Sequence, residues 1–329
     1  MKVLITGGAG FIGLHLANHI LNEGCEVVLV DNFSRGVRDS ALDSIQKSDK
    51  VLLRTADLMN TDDLNSLDTD FDIIFHLAAI IGVQNVLDHA YDVLKNNVLM
   101  LLNMIDYAKK QNHLKRFMFA STSEVYAGTL KYYGLDIPTK EETPLALTNL
   151  RHPRTSYMLS KIYGEAIMHQ SGLPYTIFRP HNFYGPRMGM SHVIPELLRK
   201  AYNNEKEGEL EVFSSTHRRT FCYIDDAVEM LSRLAVSGAA EGEDFNVGSE
   251  TPEYTMKQVG EMVLKVTNKD FRIKELPPSP GSPERRCPSM QKTTAVIGYT
   301  AKTGLVEGIK KTFEWYKNNI FEGKETGAK

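Results

Sequence analysis

Apolar positions along the chain fall into two alternating rhythms. Short unbroken runs at residues 3–5 (Val3-Leu4-Ile5), 26–30, 51–54, 72–75, 116–120 and 175–178 have strand length. Runs this continuous suit strands buried on both faces. Between them lie stretches with apolar residues three and four apart: 11–23, then 92–112 with Val93, Leu94, Val98, Leu101, Leu102, Ile105 and Ala108, then 156–169. That spacing predicts helices. Strands alternating with helices predict an α/β fold, a doubly wound parallel sheet of Rossmann type with helices on both faces. Such sheets bind ligands beyond the carboxyl ends of their strands. The residues able to do chemistry sit there: Gly7, Gly10 and Gly13, then Asp31, Asp57-Leu58, His76-Leu77-Ala78-Ala79 and Ser121-Thr122-Ser123-Glu124-Val125-Tyr126.

The rhythm changes past residue 178. Residues 179–187 form a Pro/Gly-broken loop, a helix follows over 193–203, a strand over 211–213 and a helix over 225–234. The Pro-rich stretch 277–281 reads as a turn-rich linker and a last helix begins near residue 306, while 321–329 is polar and carries no predicted element. The expected organisation is a dinucleotide-binding domain over 1–178, with a return segment at about 222–248, and a smaller C-terminal α/β lobe, mainly for substrate, over 179–329.

Composition narrows the function classes. The 329 residues are 42% hydrophobic and 24% charged, with a formal net charge of −3, values of a globular protein of one large or two unequal domains. No basic excess marks a nucleic-acid partner. The longest apolar runs are too short to cross a bilayer, and Thr6 with the glycines interrupts the first one before a signal peptide could form. Cys25, Cys222 and Cys287 are an odd number without metal-ligand spacing. No metal and a reducing, cytoplasmic setting are expected.

The turn Gly7-x-x-Gly10-x-x-Gly13 links the first strand to the first helix and aims N–H groups and a helix dipole at an anion such as a pyrophosphate. Its spacing is a modified form of the dinucleotide fingerprint. Asp31 ends the second strand, where a carboxylate can accept both ribose hydroxyls of NAD and repel a 2′-phosphate; Arg35 nearby weakens that preference. Tyr157 and Lys161 are four apart, on one face of one helix. A phenol near its ordinary pKa of about 10 is a poor base at neutral pH, and a neighbouring ammonium with a cationic nicotinamide ring favours the phenolate.

These motifs, with Asn182-Phe-Tyr-Gly185-Pro186 and Arg219-Thr-Phe-Cys-Tyr-Ile-Asp225, resemble the extended short-chain dehydrogenase/reductase family over essentially the whole chain. Within it the likeness is to the NAD-dependent nucleotide-sugar epimerases, dehydratases and decarboxylases. The resemblance implies NAD contacts from Gly7, Gly10, Phe11, Ile12, Gly13, Asp31, Asn32, Asp57, Leu58, Leu77, Ala78, Ala79, Tyr157 and Lys161, and from Asn97 or its neighbour Asn96. It implies that Thr122, Tyr157 and Lys161 remove the proton of a sugar C4 hydroxyl while hydride leaves for NAD. It places Ser123, Asn182, Arg187, Arg219 and Arg286 against the nucleotide diphosphate and sugar, with Arg151 or Arg154 as candidates to meet a charged substrate. His181, His192 and His217 lack metal-ligand spacing and read as loop histidines. The family's pairing of the helices at 92–112 and 156–169 implies a homodimer; simple burial within one chain is the alternative.

Glu124 separates the possible reactions. Simple 4-epimerases of the family carry a small or hydroxyl residue here, whereas Thr-x-Glu resembles 4,6-dehydratases and glucuronate decarboxylases. In a dehydratase a carboxylate takes the C5 proton and gives it to the leaving C6 hydroxyl; in a decarboxylase it only positions the substrate. Ala127 and Ser289 depart from the family pattern without touching this chemistry. The expected activity is a 4,6-dehydratase or decarboxylase of an NDP-sugar, UDP-sugar favoured. A 4-epimerase is the alternative, and a non-catalytic NAD-binding sensor a remote one.

Overall fold

The computed structural model describes residues 1–203, 208–278 and 282–323. Residues 279–281 of the expected linker and 324–329 of the polar end lie outside the described residues. In chain order the first half runs β1 (Lys2–Thr6), α1 (Phe11–Asn22), β2 (Glu26–Asp31), α2 (Ser40–Ile45), β3 (Val51–Thr55), α3 (Thr61–Asn65), β4 (Ile73–His76), α4 (Val83–Asp88), α5 (Ala90–Ala108), β5 (Arg116–Ala120), α6 (Ala127–Tyr133), α7 (Thr155–Gln170) and β6 (Tyr175–Pro180). The second half adds β7 (Phe183–Tyr184), α8 (Val193–Asn203), β8 (Glu209–Phe213), β9 (Arg218–Arg219), β10 (Cys222–Tyr223), α9 (Ile224–Val236), β11 (Glu243–Val247), β12 (Tyr254–Thr255), α10 (Met256–Thr267), β13 (Arg272–Leu276), β14 (Arg285–Arg286), α11 (Gln291–Ile297) and α12 (Leu305–Tyr316).

A seven-stranded sheet in the order β11-β6-β5-β4-β1-β2-β3 forms the centre, every pairing parallel. Successive side chains point to opposite faces of a strand, so each apolar run feeds two cores. Val3, Ile5, Val27, Leu29, Ile73, Phe75 and Met118 enter the core that includes α1 and α9. Leu4, Val28, Val30, Ile74, Phe117 and Phe119 enter the core that includes α5. Strand order reverses at β1, between β2 on one side and β4 on the other. That opens a crevice at the carboxyl ends of β1 and β4, the place where an open α/β sheet takes its ligand. β11, from the second half of the chain, completes the sheet beside β6.

The second half also builds small sheets, β12-β9-β14, β10-β7 and β13-β8. The parallel register of β9 with β14 sets Arg219 level with Arg286, on the same face. Among the described residues no helix is long and apolar enough to cross a membrane.

Candidate active site

The Gly-rich turn follows β1 into α1. Gly7 has φ +68°, and a Cβ there would stand 3.0 Å from the Ala78 nitrogen of the loop after β4. At Gly13 a Cβ would lie 2.3 Å from the Gly7 carbonyl, so only glycine lets helix and turn close up. Gly10 caps α1 without a side-chain hydrogen bond, and the first helical turn carries no acidic residue. Its N–H groups are left to an anion. Asp31 is 8% exposed and accepts from the Ala9 and Phe33 N–H groups at 3.0 and 2.8 Å. Burial pushes its carboxyl up, while those N–H groups and Arg187 oppose the shift. The turn and Asp31 thus fit the pyrophosphate and adenosine ribose of NAD.

The neighbouring loops are stapled in place. Thr6 Oγ1 pairs with His76 Nδ1 at 2.9 Å and accepts from the Ala78 N–H at 3.3 Å, which positions Leu77, Ala78 and Ala79. Asn97, not Asn96, is the buried asparagine: it accepts from the Ile80 N–H at 2.7 Å and donates to the Ile80 carbonyl and Ser160 Oγ. It therefore holds the loop after β4 against α7. Phe11 and Ile12 are half-buried at the start of α1, while Asn32 and Asp57 are exposed and Leu58 buried at the ends of β2 and β3.

Tyr157 and Lys161 lie one helical turn apart on α7, facing the end of β5. Thr122 caps the turn after β5 by accepting from the Glu124 N–H at 3.2 Å. Its hydroxyl also hydrogen-bonds Tyr157. Lys161 Nζ donates to the Ala120 carbonyl at 2.7 Å and lies 6.0 Å from the Tyr157 ring centroid. Burial pulls the lysine down to about 8. It also pushes Tyr157 up to about 12, against the opposing effects of the Thr122 hydrogen bond and Arg35. Without a cationic ring beside it, burial thus outweighs Thr122 and Arg35 at the phenol, while the Lys161 ammonium is held by the Ala120 carbonyl.

Glu124 stands at the mouth of the crevice, its side chain 37% exposed, and accepts from Arg286 Nη2 at 2.8 Å. Arg286 Nη1 reaches Ser123 Oγ at 3.4 Å. The Arg286 guanidinium holds the Glu124 carboxyl below its usual range against the cost of burial, and Arg154 and Arg219 push the same way. Arg219 donates to the Arg218 carbonyl at 2.7 Å, Ser282 Oγ at 3.1 Å, and the Pro283 and Glu284 carbonyls. Burial and the repulsion of Arg286 pull it down to about 10. Crowded guanidiniums of this kind suit carboxylate and phosphate oxygens. Asn182, in the left-handed region at φ +45°, donates to the Thr220 carbonyl at 2.9 Å and so ties the loop after β6 to the segment between β9 and β10.

Residues 3–248 match the NAD dependent epimerase/dehydratase family. The chain belongs to this family. A UDP-N-acetyl-alpha-D-glucosaminuronate decarboxylase of Bacillus cytotoxicus is 29% identical over 330 residues, covering 96% of this chain and 98% of its own. UDP-glucuronic acid decarboxylase 6 of Arabidopsis thaliana is 32% identical over 321 residues, covering 94% and 87%. Among solved structures, UDP-glucuronic acid 4-epimerase from Bacillus cereus with UDP-glucuronic acid and NAD superposes with a TM-score of 0.83 at 26% identity, over 96% of this chain and 99% of that one. This chain is thus an NAD-dependent enzyme of the epimerase/dehydratase family with the Rossmann-type sheet described above.

One expected substrate residue is placed elsewhere. Arg187 is 2% exposed, and its guanidinium bonds Asp39 and the Ala9, Gly10 and Val37 carbonyls. All five of its N–H donors are engaged inside the protein, which leaves none for substrate. Sequence reasoning also missed a buried network beneath the site: Glu165, one turn past Lys161, holds Arg179 of β6 at 2.9 and 2.8 Å and accepts from Ser121, the neighbour of Thr122. A charged residue inside an apolar helix and another inside an apolar strand were the available signal. His181 lies in the loop after β6 and is buried, its Nε2 3.0 Å from Asn246 Oδ1. Among the described residues no cluster of three or more His, Cys, Asp or Glu could hold a metal ion.

Proposed function

We propose that this enzyme decarboxylates a UDP-linked uronate through a transient 4-keto sugar. The observation that carries the reading is the ion pair of Glu124 with Arg286, with Arg154 and Arg219 beside it. A 4,6-dehydratase needs this carboxyl to take up a proton and give it away. Arginines that hold it ionised oppose that cycle, whereas they suit a sugar that carries its own carboxylate and a diphosphate. The two decarboxylase relatives, matched over nearly the whole chain, support the same substrate class.

In this reading Tyr157 takes the proton of the C4 hydroxyl, with Thr122 orienting it and Lys161 fixing α7 on the end of β5. NAD held by the Gly7–Gly13 turn and Asp31 would supply the hydride acceptor and donor for C4, and its cationic ring would favour the Tyr157 phenolate against burial. The new ketone is β to the C6 carboxylate, so the C5–C6 bond breaks, carbon dioxide leaves and the electron pair moves onto O4 as an enolate. C5 then takes a solvent proton, C4 regains its hydride and Tyr157 returns the hydroxyl proton. Glu124 and its arginines keep the carboxylate over a path where it can leave.

Tyr91, Leu99 and Leu102 of α5 and Tyr163 of α7 are exposed, which supports a homodimer formed through these helices. Three buried free cysteines support a reducing, cytoplasmic setting. The test is product analysis with UDP-glucuronate, its 2-acetamido counterpart and UDP-glucose. A UDP-pentose and carbon dioxide from a uronate are expected; a 4-keto-6-deoxy sugar from UDP-glucose, or a uronate inverted at C4, would replace this reading by dehydration or epimerisation.

A further inference from the structure

Arg187 lies in the loop that opens the second half of the chain, yet its bonds all go to the cofactor side of the crevice. Its Nε and Nη2 hold both oxygens of Asp39 at 2.5 and 3.1 Å, Nη2 also reaches the Val37 carbonyl at 2.8 Å, and Nη1 donates to the Ala9 and Gly10 carbonyls at 2.7 and 3.1 Å. Asp39 is fixed in turn as the cap of α2, accepting from the Leu42 N–H at 3.0 Å. Arg187 adopts φ +68° to reach this position, a left-handed conformation unfavourable for a residue with a Cβ. The carbonyls it grips are those of the pyrophosphate turn. A trans peptide sets its N–H opposite its C=O. Holding the Gly10 carbonyl from below therefore turns the Phe11 N–H upward, to the side where an anion docks on α1. The N–H of Ala9, on the other side of the same residue, donates to Asp31.

We propose that Arg187 and Asp39 form a clamp that retains NAD: positioning residues that set the pyrophosphate turn and Asp31 from beneath, without touching substrate. The clamp bridges 148 residues of sequence and locks the loop after β7 onto the loop after β2, so cofactor retention is tied to docking of the second half of the chain. The inference rests on NAD as cofactor and is independent of which sugar the enzyme converts.

The experiment uses the full chain carrying Asp39→Asn or Arg187→Lys. Asp39→Asn keeps an oxygen to cap α2 but removes the charge; Arg187→Lys keeps the charge but offers three donors in place of the fork. NAD affinity is measured by calorimetry, UDP affinity on the NAD-saturated protein, and Tm with and without NAD. Both variants are expected to weaken NAD binding by about tenfold or more while UDP affinity stays within about twofold, and added NAD should restore most of any lost Tm. Unchanged NAD affinity in both variants overturns the clamp. So does UDP affinity that falls while NAD affinity holds, which would return Arg187 to the substrate. A parallel loss of both affinities with a Tm that NAD does not restore reduces the pair to a structural role.

Discussion

Replacing Arg179 by Met should be among the most damaging single changes in the molecule. Arg179 is 2% exposed, and each of its N–H groups is engaged: Nε and Nη2 on Glu165 at 2.9 and 2.8 Å, Nη1 on the Tyr126 hydroxyl at 2.8 Å and the Glu141 carbonyl at 2.9 Å, and Nη2 on Asp244 at 3.0 Å. Glu165 is itself 3% exposed. Deleting the guanidinium strands a buried carboxylate, which costs about 3–5 kcal/mol. The Glu141 carbonyl left without this donor adds about 1 kcal/mol. About 5 kcal/mol in total is a large part of a typical domain stability of about 5–15 kcal/mol. The Glu165→Met/Arg179→Met double variant removes both charges and should regain about 3 kcal/mol of that loss. Urea unfolding followed by fluorescence of Trp315, the single tryptophan, reads all three proteins. A single variant that loses less than about 1 kcal/mol, or a double no better than the single, would refute the claim that this pair is held by mutual neutralisation in a buried site.

Two further outcomes follow from the site. Tyr157→Phe should abolish turnover and leave NAD and UDP affinities unchanged, measured by product formation and calorimetry; turnover near the parent rate would remove Tyr157 from the chemistry and revive the non-catalytic reading. Acid should destabilise the fold through His76 and His181, both buried and pulled down to about 3, mainly by burial. The unfolded chain takes up these protons below its own pKa of about 6.5, whereas the folded chain does so only near 3, so the stabilisation is full above 6.5 and is lost as pH falls toward 3. At pH 5 the two histidines together cost about 4 kcal/mol. His181→Asn should reduce the pH slope of the unfolding free energy between pH 6 and pH 4 by about 1.4 kcal/mol per unit; an unchanged slope would contradict it.

Much of this was legible in the pattern of apolar residues. The inner strands β1, β2, β4, β5 and β6 carry apolar runs because both faces are buried, and a run such as Phe117-Met118-Phe119 leaves little choice of element. β13, with exposed Arg272, Lys274 and Glu275, has no such run and escaped notice. α10 escaped too, although Thr255 and Gln258 form a capping box at its start, a signal readable as Thr-x-x-Gln before an apolar stretch. At the site, Tyr157, Lys161 and Thr122 could be grouped because their motifs lie at strand ends of one sheet. Arg187 was misread because a position after Gly-Pro says nothing about which side of a crevice the side chain faces, and its partner Asp39 is distant in sequence. The Glu124–Arg286 contact shows the same limit. Each residue was a candidate alone, but only the register of β9 with β14 and the turn after β5 brings them together.

The most direct test of the proposed chemistry is to convert UDP-glucuronate in deuterated water and follow the product by NMR. Decarboxylation with the carboxylate guided by Glu124 and its arginines predicts a UDP-pentose that has lost C6 and carries one solvent deuterium at C5, with the C4 hydrogen retained from substrate. A hexuronate inverted at C4 without deuterium, or no reaction of the uronate while UDP-glucose gives a 4-keto-6-deoxy sugar, would contradict it.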